Sequence, residues 1–223
     1  MLFCNGNQEP ITAVVMLAGD APAADEAARL RQLLSGSEKP LLLAADGGAE
    51  HLSRLGLLPD LLLGDGDSLS LPLPQVPRIS YPEEKDFSDG EAALDYALRH
   101  SAGRVLLLGA LGGRLDHLLN NVLLPLHLPG GAERTLLSGP GMEAAYSLGR
   151  AEISGQPGDT LSLIPLSQKV KAISLQGFYY PLTNYDTEMG SSRTLSNVLT
   201  GERATVNHES GVLLLLHYRG RCR

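Results

Sequence analysis

Several side chains able to do phosphate and metal chemistry fall where apolar runs stop. "PLLLAAD" ends in Asp46-Gly47-Gly48, and "LLLGDGDS" places Asp65 and Asp67 one glycine apart. "EEKDFSDGE" supplies Lys85, Asp86 and Asp89 before a helix, and "RVLLLGA" runs into Leu111-Gly112-Gly113-Arg114-Leu115-Asp116-His117. Two carboxylates this close at a strand end can share one Mg²⁺, a hard cation that takes one or two carboxylates together with substrate phosphates. Asp89 offers a third carboxylate. Gly112 and Gly113 let backbone amides approach a phosphate, the helix start behind them favours an anion, and Arg114 can clamp a phosphate with its planar fork.

Each piece has a plainer reading. Asp46-Gly47 alone is a strand-to-helix turn, and Gly-Asp-Gly-Asp serves equally as a turn or a metal site. Ser88-Asp89-Gly90-Glu91 matches a capping box, with Ser88 as N-cap and Glu91 reaching back. His117 taken singly is a helix residue with a hydrogen bond, and His51, His100, His127, His208 and His217 show no ligand spacing. The plain readings weaken together, because independent turns need not place acids at strand ends in one half of a chain.

The elements that must position these residues alternate regularly at first. "ITAVVMLAG" reads as a buried strand, "ADEAARLRQLLSG" as a helix, "PLLLAAD" as a strand and "GGAEHLSRLG" as a short helix. "DLLLGDGDS", a Pro-rich connector and "RISY" follow, then the helix "SDGEAALDYALRH", the strand "RVLLLGA" and "RLDHLLNNVLLPLHL", expected as a largely buried helix. Apolar strands alternating with helices predict a parallel sheet covered on both faces, a Rossmann-like α/β domain over residues 1–131. In such a sheet, ligands bind beyond the carboxyl ends of the strands. Past Pro129-Gly130-Gly131, short runs rich in Thr, Ser, Val, Ile and Tyr predict a smaller all-β sandwich or barrel over residues 132–223.

The composition bounds the partners. Among 223 residues, net charge is -7, which argues against a nucleic-acid binder, whose affinity comes from clustered Lys and Arg. Cys4 and Cys222, the two cysteines, form neither a metal spacing nor a disulfide framework. No run approaches the ~20 apolar residues of a membrane span. The run before Ala21-Pro22-Ala23-Ala24 lacks a preceding basic region, the first such residue being Arg29, so it is expected as a strand rather than a signal peptide. A cytoplasmic location is expected.

The ordered set "AADGGA", "PDLLLGDGDS", "KDFSDGEAAL", "LGALGGRLDH", "SLIPLS", "GFYYPL" and "LSN" followed by "ESGVLLLL" resembles the bacterial thiamine pyrophosphokinase (thiamine diphosphokinase) family, from about Leu41 to Leu216. The resemblance implies an α/β catalytic domain that binds ATP and Mg²⁺, followed by a smaller β domain that binds thiamine. It also implies a homodimer whose active sites take residues from both subunits. The implied reaction transfers the pyrophosphoryl group of ATP to the thiamine hydroxyl, giving AMP and thiamine diphosphate. Position by position, Asp65, Asp67 and Asp89 match the acids that hold Mg²⁺, and Asp46 the acid near the reacting phosphates or the hydroxyl. Lys85, Gly112, Gly113, Arg114 and His117 form the implied ATP contacts, and Asp116, Ser196 and Asn197 the thiamine contacts. Asp46 and Asp89 both stand as candidates to accept the hydroxyl proton.

The chain departs from the family pattern in two ways. Gly66 stands where the family carries a bulky residue between its metal aspartates, so retained metal binding on a looser loop is expected. The absence of Trp leaves Tyr179, Tyr180 and Tyr185 as aromatic surfaces for thiamine. Two other functions use the same residues: an Mg²⁺-dependent phosphohydrolase that activates water, or a thiamine-binding protein without turnover.

Overall fold

The computed structural model describes residues 2–4, 9–64, 76–82 and 84–220. They fall into two compact units, Glu9–Pro140 and a second one comprising Met1–Gln8 with Gly141–Arg223. The first strand, β1 (Leu2–Cys4), therefore belongs to the later unit.

The first unit is the expected parallel sheet. Its strands are β2 (Ile11–Met16), β3 (Leu41–Ala45), β4 (Leu61–Leu63), β5 (Arg78–Ile79), β6 (Arg104–Leu108) and β7 (Thr135–Gly139). They lie in the order β7-β6-β2-β3-β4-β5, every neighbouring pair parallel. Helices α1 (Ala24–Ser35), α2 (Gly48–Arg54), α3 (Asp89–His100), α4 (Leu115–His127) and α5 (Gly131–Arg134) make the connections. From β2 the chain steps outward through β3, β4 and β5, then returns to the other side of β2 with β6. The order thus reverses between β2 and β6, which opens a crevice at their carboxyl ends. Val14, Val15, Leu43, Leu106 and Leu107 are fully buried, as strands covered on both faces require.

Three sequence expectations are corrected. The domain boundary falls after Pro140 rather than Gly131, because Thr135–Gly139, despite its Thr and Ser, pairs in parallel with β6. Helix α4 is not largely buried: Leu124 and Pro125 are, but Leu115, Leu119, Leu123 and Leu126 are exposed, Leu115 by 69%. Leucines spaced by four line one stripe of a helix, and this stripe faces away from the sheet. At the start of α3, Ser88 Oγ accepts from Glu91 N–H at 3.1 Å, but the Glu91 carboxylate does not reach back and lies 3.9 Å from His127 Nε2.

The second unit is antiparallel throughout. Its remaining strands are β8 (Met142–Ser147), β9 (Arg150–Ser154), β10 (Thr160–Pro165), β11 (Lys169–Gln176), β12 (Leu182–Glu188), β13 (Asn197–Val198), β14 (Arg203–Asn207) and β15 (Leu213–Tyr218). One layer runs β1-β9-β14-β11-β12 and the other places β13, β10, β15 and β8 side by side. Tyr146, Ile153, Leu163, Ile173, Val206 and Leu215 fill the core of this β-sandwich.

A buried polar knot ties β10 to β15. Asp159 accepts from Gly220 N–H at 2.7 Å and Gln156 N–H at 3.0 Å, and its Oδ2 lies 3.0 Å from His217 Nε2. Burial alone would raise the Asp159 carboxyl, but these donors outweigh it and hold the group below the usual carboxylate range. Burial holds the His217 imidazole below its ordinary value, against a smaller opposing pull from Asp159. Both shifts act in one direction. Each folded-state pKa is depressed, so the stabilisation is complete above about pH 6.5 and declines as acid protonates the unfolded chain first. The melting temperature should hold steady above about pH 7 and fall below about 6.5, with His217→Gln flattening the upper part of that slope. Asp159→Ala, which strands the buried His217 and two part-buried backbone donors, should cost about 2–4 kcal/mol in denaturant unfolding.

Candidate active site

A cleft of about 750 Å³ opens in the first unit at the carboxyl ends of its strands. Asp46, Lys85, Asp89, Gly112, Gly113, Arg114, Asp116 and His117 all line it. The sheet explains the convergence. Asp46 follows β3, Gly64 ends β4, Gly112 and Gly113 follow β6, and Asp89 opens α3. Asp65 and Asp67 lie outside the described residues, as does Gly66. Among the described residues, no three His, Cys, Asp or Glu side chains form a metal-holding cluster.

At one end of the cleft Asp46 and Asp89 flank Gly64. A Cβ at this position would sit 3.3 Å from both the Asp46 Cβ and the Asp89 Oδ1, so glycine lets the two acids meet across the strand end. Asp46 has φ 41, a left-handed conformation that Asp tolerates better than most residues. Its N–H donates to Leu63 O at 2.9 Å, which fixes it beside β4. Its Oδ1 is buried and has no hydrogen-bond partner among the described residues. Lys85 Nζ lies 3.3 Å from Asp89 Oδ1, and its side chain is only 9% exposed.

The other end lies over the crevice between β2 and β6. Leu17 N–H donates to Leu108 O at 2.8 Å and Gly19 N–H to Gly109 O at 3.0 Å, so the two strand-end loops are zipped together. Gly112 has φ 102, and a Cβ there would fall 2.0 Å from Asp20 Oδ2. Only glycine fits, both for its backbone angle and for the carboxylate packed against it. Arg114 and Asp116 form a two-point ion pair, Nη2 to Oδ2 at 2.6 Å and Nε to Oδ1 at 3.1 Å. The hydrogen bond to Arg114 is the largest cause holding the Asp116 carboxyl below its ordinary range, and the same bond raises Arg114. His117 contributes its backbone N–H to Asp116 Oδ1 at 3.0 Å, while its side chain stays exposed.

Sequence reasoning missed three residues here. Asp20 lines the cleft at the end of β2. The signal was present, because "ITAVVMLAG" runs directly into Asp20 as the neighbouring "PLLLAA" runs into Asp46. His51 carries no ligand spacing, but its Nε2 donates to Gly19 O at 2.9 Å and braces the β2 loop from α2. Asn121 donates to Ala110 O at 3.1 Å and braces the β6 loop from α4. His51→Leu should lower stability by about 1 kcal/mol and raise the KM of the nucleotide severalfold, with kcat little changed in steady-state assays.

Ser196 and Asn197 belong to the second unit. Ser196 is exposed, has φ 54, and donates its N–H to Ser162 Oγ at 3.0 Å. Asn197 is buried and its amide makes three hydrogen bonds. Its Oδ1 accepts from Tyr180 N–H and Val198 N–H, each at 3.0 Å, and its Nδ2 donates to Tyr180 O at 2.8 Å. Asn197 therefore anchors the Tyr179–Tyr180 segment. Those two rings meet edge to face at 4.8 Å and are 68% and 62% exposed. A small cavity of about 170 Å³ adjoins them, lined by Leu175, Tyr180, Leu182, Arg193, Leu195 and Asn197.

Known proteins share both units. Residues 31–133 match the family model of the thiamin pyrophosphokinase catalytic domain, and residues 150–213 match that of the thiamin pyrophosphokinase vitamin B1 binding domain. Thiamine pyrophosphokinase of Bacillus subtilis is 29% identical over 187 residues, covering 80% of this chain and 87% of that protein. The crystal structure of thiamine pyrophosphokinase from Bacillus subtilis superposes with TM-score 0.80 at 25% identity, over 93% of this chain and 99% of the other. That of thiamin pyrophosphokinase from Geobacillus thermodenitrificans gives 0.74 at 28% identity, over 92% and 97%. With both domains matched in order and the strand-end cleft in place, the chain belongs to the thiamin pyrophosphokinase family.

Proposed function

We propose that the protein transfers the pyrophosphoryl group of ATP to the hydroxyl of thiamine, releasing AMP and thiamine diphosphate. The observation that carries this reading is the joint presence of both family domains and of a cleft at the sheet's reversal point lined by Asp46, Asp89, Lys85 and the Gly112-Gly113 loop.

In the reaction, the thiamine hydroxyl oxygen attacks the β-phosphorus of ATP while the bond from that phosphorus to the α,β-bridging oxygen breaks. Such transfers leave little covalent work for a protein, so positioning and charge dominate. Lys85, held beside Asp89, supplies a fixed positive charge to the phosphates. The Gly112-Gly113 loop offers backbone N–H groups ahead of α4, and Arg114 adds a two-point donor once it turns from Asp116. Asp46 accepts the hydroxyl proton, because Asp89 has the Lys85 ammonium 3.3 Å from its Oδ1, which disfavours its protonation, and Asp46 has no such ion pair among the described residues. Ser196 and the Tyr179–Tyr180 surface contact the thiamine ring, and Asn197 fixes that surface rather than touching substrate.

The cleft fits Mg²⁺ on its donor chemistry. Asp20, Asp46, Asp89 and Asp116 line it against the cations Lys85 and Arg114, so a polyphosphate needs added positive charge to enter. Oxygen donors of this kind suit a hard cation. Asp65, Asp67 and Asp89 would hold it, and when bound it neutralises charge on the transferred group and on departing AMP. We further propose a homodimer with shared active sites, supported by the placement of reacting acids and ring contacts in different units. A cytoplasmic location is in keeping with the two widely spaced cysteines. No helix among the described residues is long and apolar enough to cross a membrane.

The test is product analysis. Incubation with ATP, Mg²⁺ and thiamine should yield AMP and thiamine diphosphate in equal amounts. Free phosphate without AMP would replace the transferase by a phosphohydrolase, and thiamine binding without AMP would leave a binding protein.

A further inference from the structure

We infer that Asp20 is the residue that reads the ribose of the nucleotide, its carboxylate accepting hydrogen bonds from the 2′- and 3′-hydroxyls. The inference rests on the transferase reading above and adds a specificity-determining residue to it.

Three observations place Asp20. It stands at the carboxyl end of β2, beside the crevice where strand order reverses, the place where open α/β sheets bind nucleotides. Its position is fixed, because the loop that carries it is zipped to Gly109 through Gly19 and braced by His51, and its carboxylate packs where Gly112 has no side chain. Among the described residues it has no hydrogen bond and no ion pair, although it is exposed on the cleft wall. The other cleft acids differ. Asp116 is held by Arg114, Asp89 faces Lys85, and Asp46 is turned toward Gly64.

Charge then selects the ligand group. A carboxylate without a cation beside it repels phosphate oxygens, so the nucleotide must present a neutral donor to it. Vicinal hydroxyls are such donors, and the two oxygens of one carboxylate can accept from both. An acid at a strand end of a dinucleotide-binding sheet makes the same contact. A site built around such a bond rejects the analogue that lacks the hydroxyl.

Calorimetry with AMP, 2′-deoxy-AMP and 3′-deoxy-AMP, without metal or thiamine, tests this on the whole protein. The wild type should bind AMP about 10-fold or more tightly than either deoxy analogue, the range of one hydrogen bond to a charged acceptor. In Asp20→Ala the three should bind alike, and more weakly than either deoxy compound binds the wild type, because each deoxy compound still keeps one hydroxyl for Asp20. Asp20→Asn, which keeps the volume, should fall between. In turnover assays the same variants should raise the KM of ATP more than that of 2′-deoxy-ATP, at similar kcat. Equal tightening of all three monophosphates by Asp20→Ala would mean simple repulsion and would overturn the assignment. So would unchanged metal-free binding together with a raised Mg²⁺ requirement, which would make Asp20 a metal ligand. An ATP-over-inosine-triphosphate preference that disappears in Asp20→Ala, with the ribose preference intact, would move the contact to the adenine amino group. Absence of thiamine turnover in the wild type would count against the transferase reading alone, because the monophosphate binding is measured without it.

Discussion

Asp46→Asn should lose roughly 10²- to 10⁴-fold in kcat, the span typical of a positioned general base, while the fold stays as stable or becomes more so. The two halves of this expectation have separate causes. Asparagine is nearly isosteric and tolerates the left-handed backbone angle at this position, so the turn after β3 survives. The native carboxylate keeps a buried oxygen without a hydrogen-bond partner among the described residues. Removing its charge removes a desolvation cost that the folded state bears. Activity and thermal melting should therefore move apart. A variant that lost activity and melting temperature together would make Asp46 a structural turn residue instead. A further control is the KM of ATP, which should change little if the acid acts on the hydroxyl proton.

Gly112→Ala should have the second largest effect, chiefly on the nucleotide. The added Cβ would lie 2.0 Å from Asp20 Oδ2, and φ 102 is a conformation that alanine strongly resists. Both problems fall on the loop proposed above to present N–H groups to phosphate. Stability should drop by about 1–3 kcal/mol, and the KM of ATP should rise at least 10-fold, about 1.4 kcal/mol in binding. The double variant Asp20→Gly, Gly112→Ala separates the causes. It relieves the clash but leaves the backbone strain, so stability should recover in part and the two changes should not add. Full additivity in urea unfolding would show that Asp20 and Gly112 do not press on each other in solution.

The sequence made the strand ends easy to find and the faces of the helices hard. Apolar runs closing in Asp46, Gly64 and Gly109 announced parallel strands, and the acids at their ends announced the cleft. Periodicity failed in α4, where leucines on several sides hid the fact that Leu115, Leu119 and Leu123 line an exposed stripe. Composition failed at Thr135–Gly139, whose Thr and Ser suited a β-domain, because only its pairing with β6 reveals its unit. No local pattern could place Leu2–Cys4 against β9, a pairing across most of the chain. In the site, Asn197 shows the limit of motif reading. The resemblance implied a thiamine contact at Asn197, whereas the engagement of its amide with Tyr180 and Val198 emerges only from the backbone around it.

The pairing of Arg114 with Asp116 bears on how this protein responds to ionic conditions. Each side chain is the other's counterion, so an arriving phosphate meets a competitor that is already part of the chain. Both partners are well exposed, 74% and 62% at the side chain, and added salt screens them readily. Salt therefore weakens the internal rival at the same time as it weakens the pull on phosphate. Nucleotide affinity should fall less steeply with ionic strength than the number of cationic groups in the cleft would suggest.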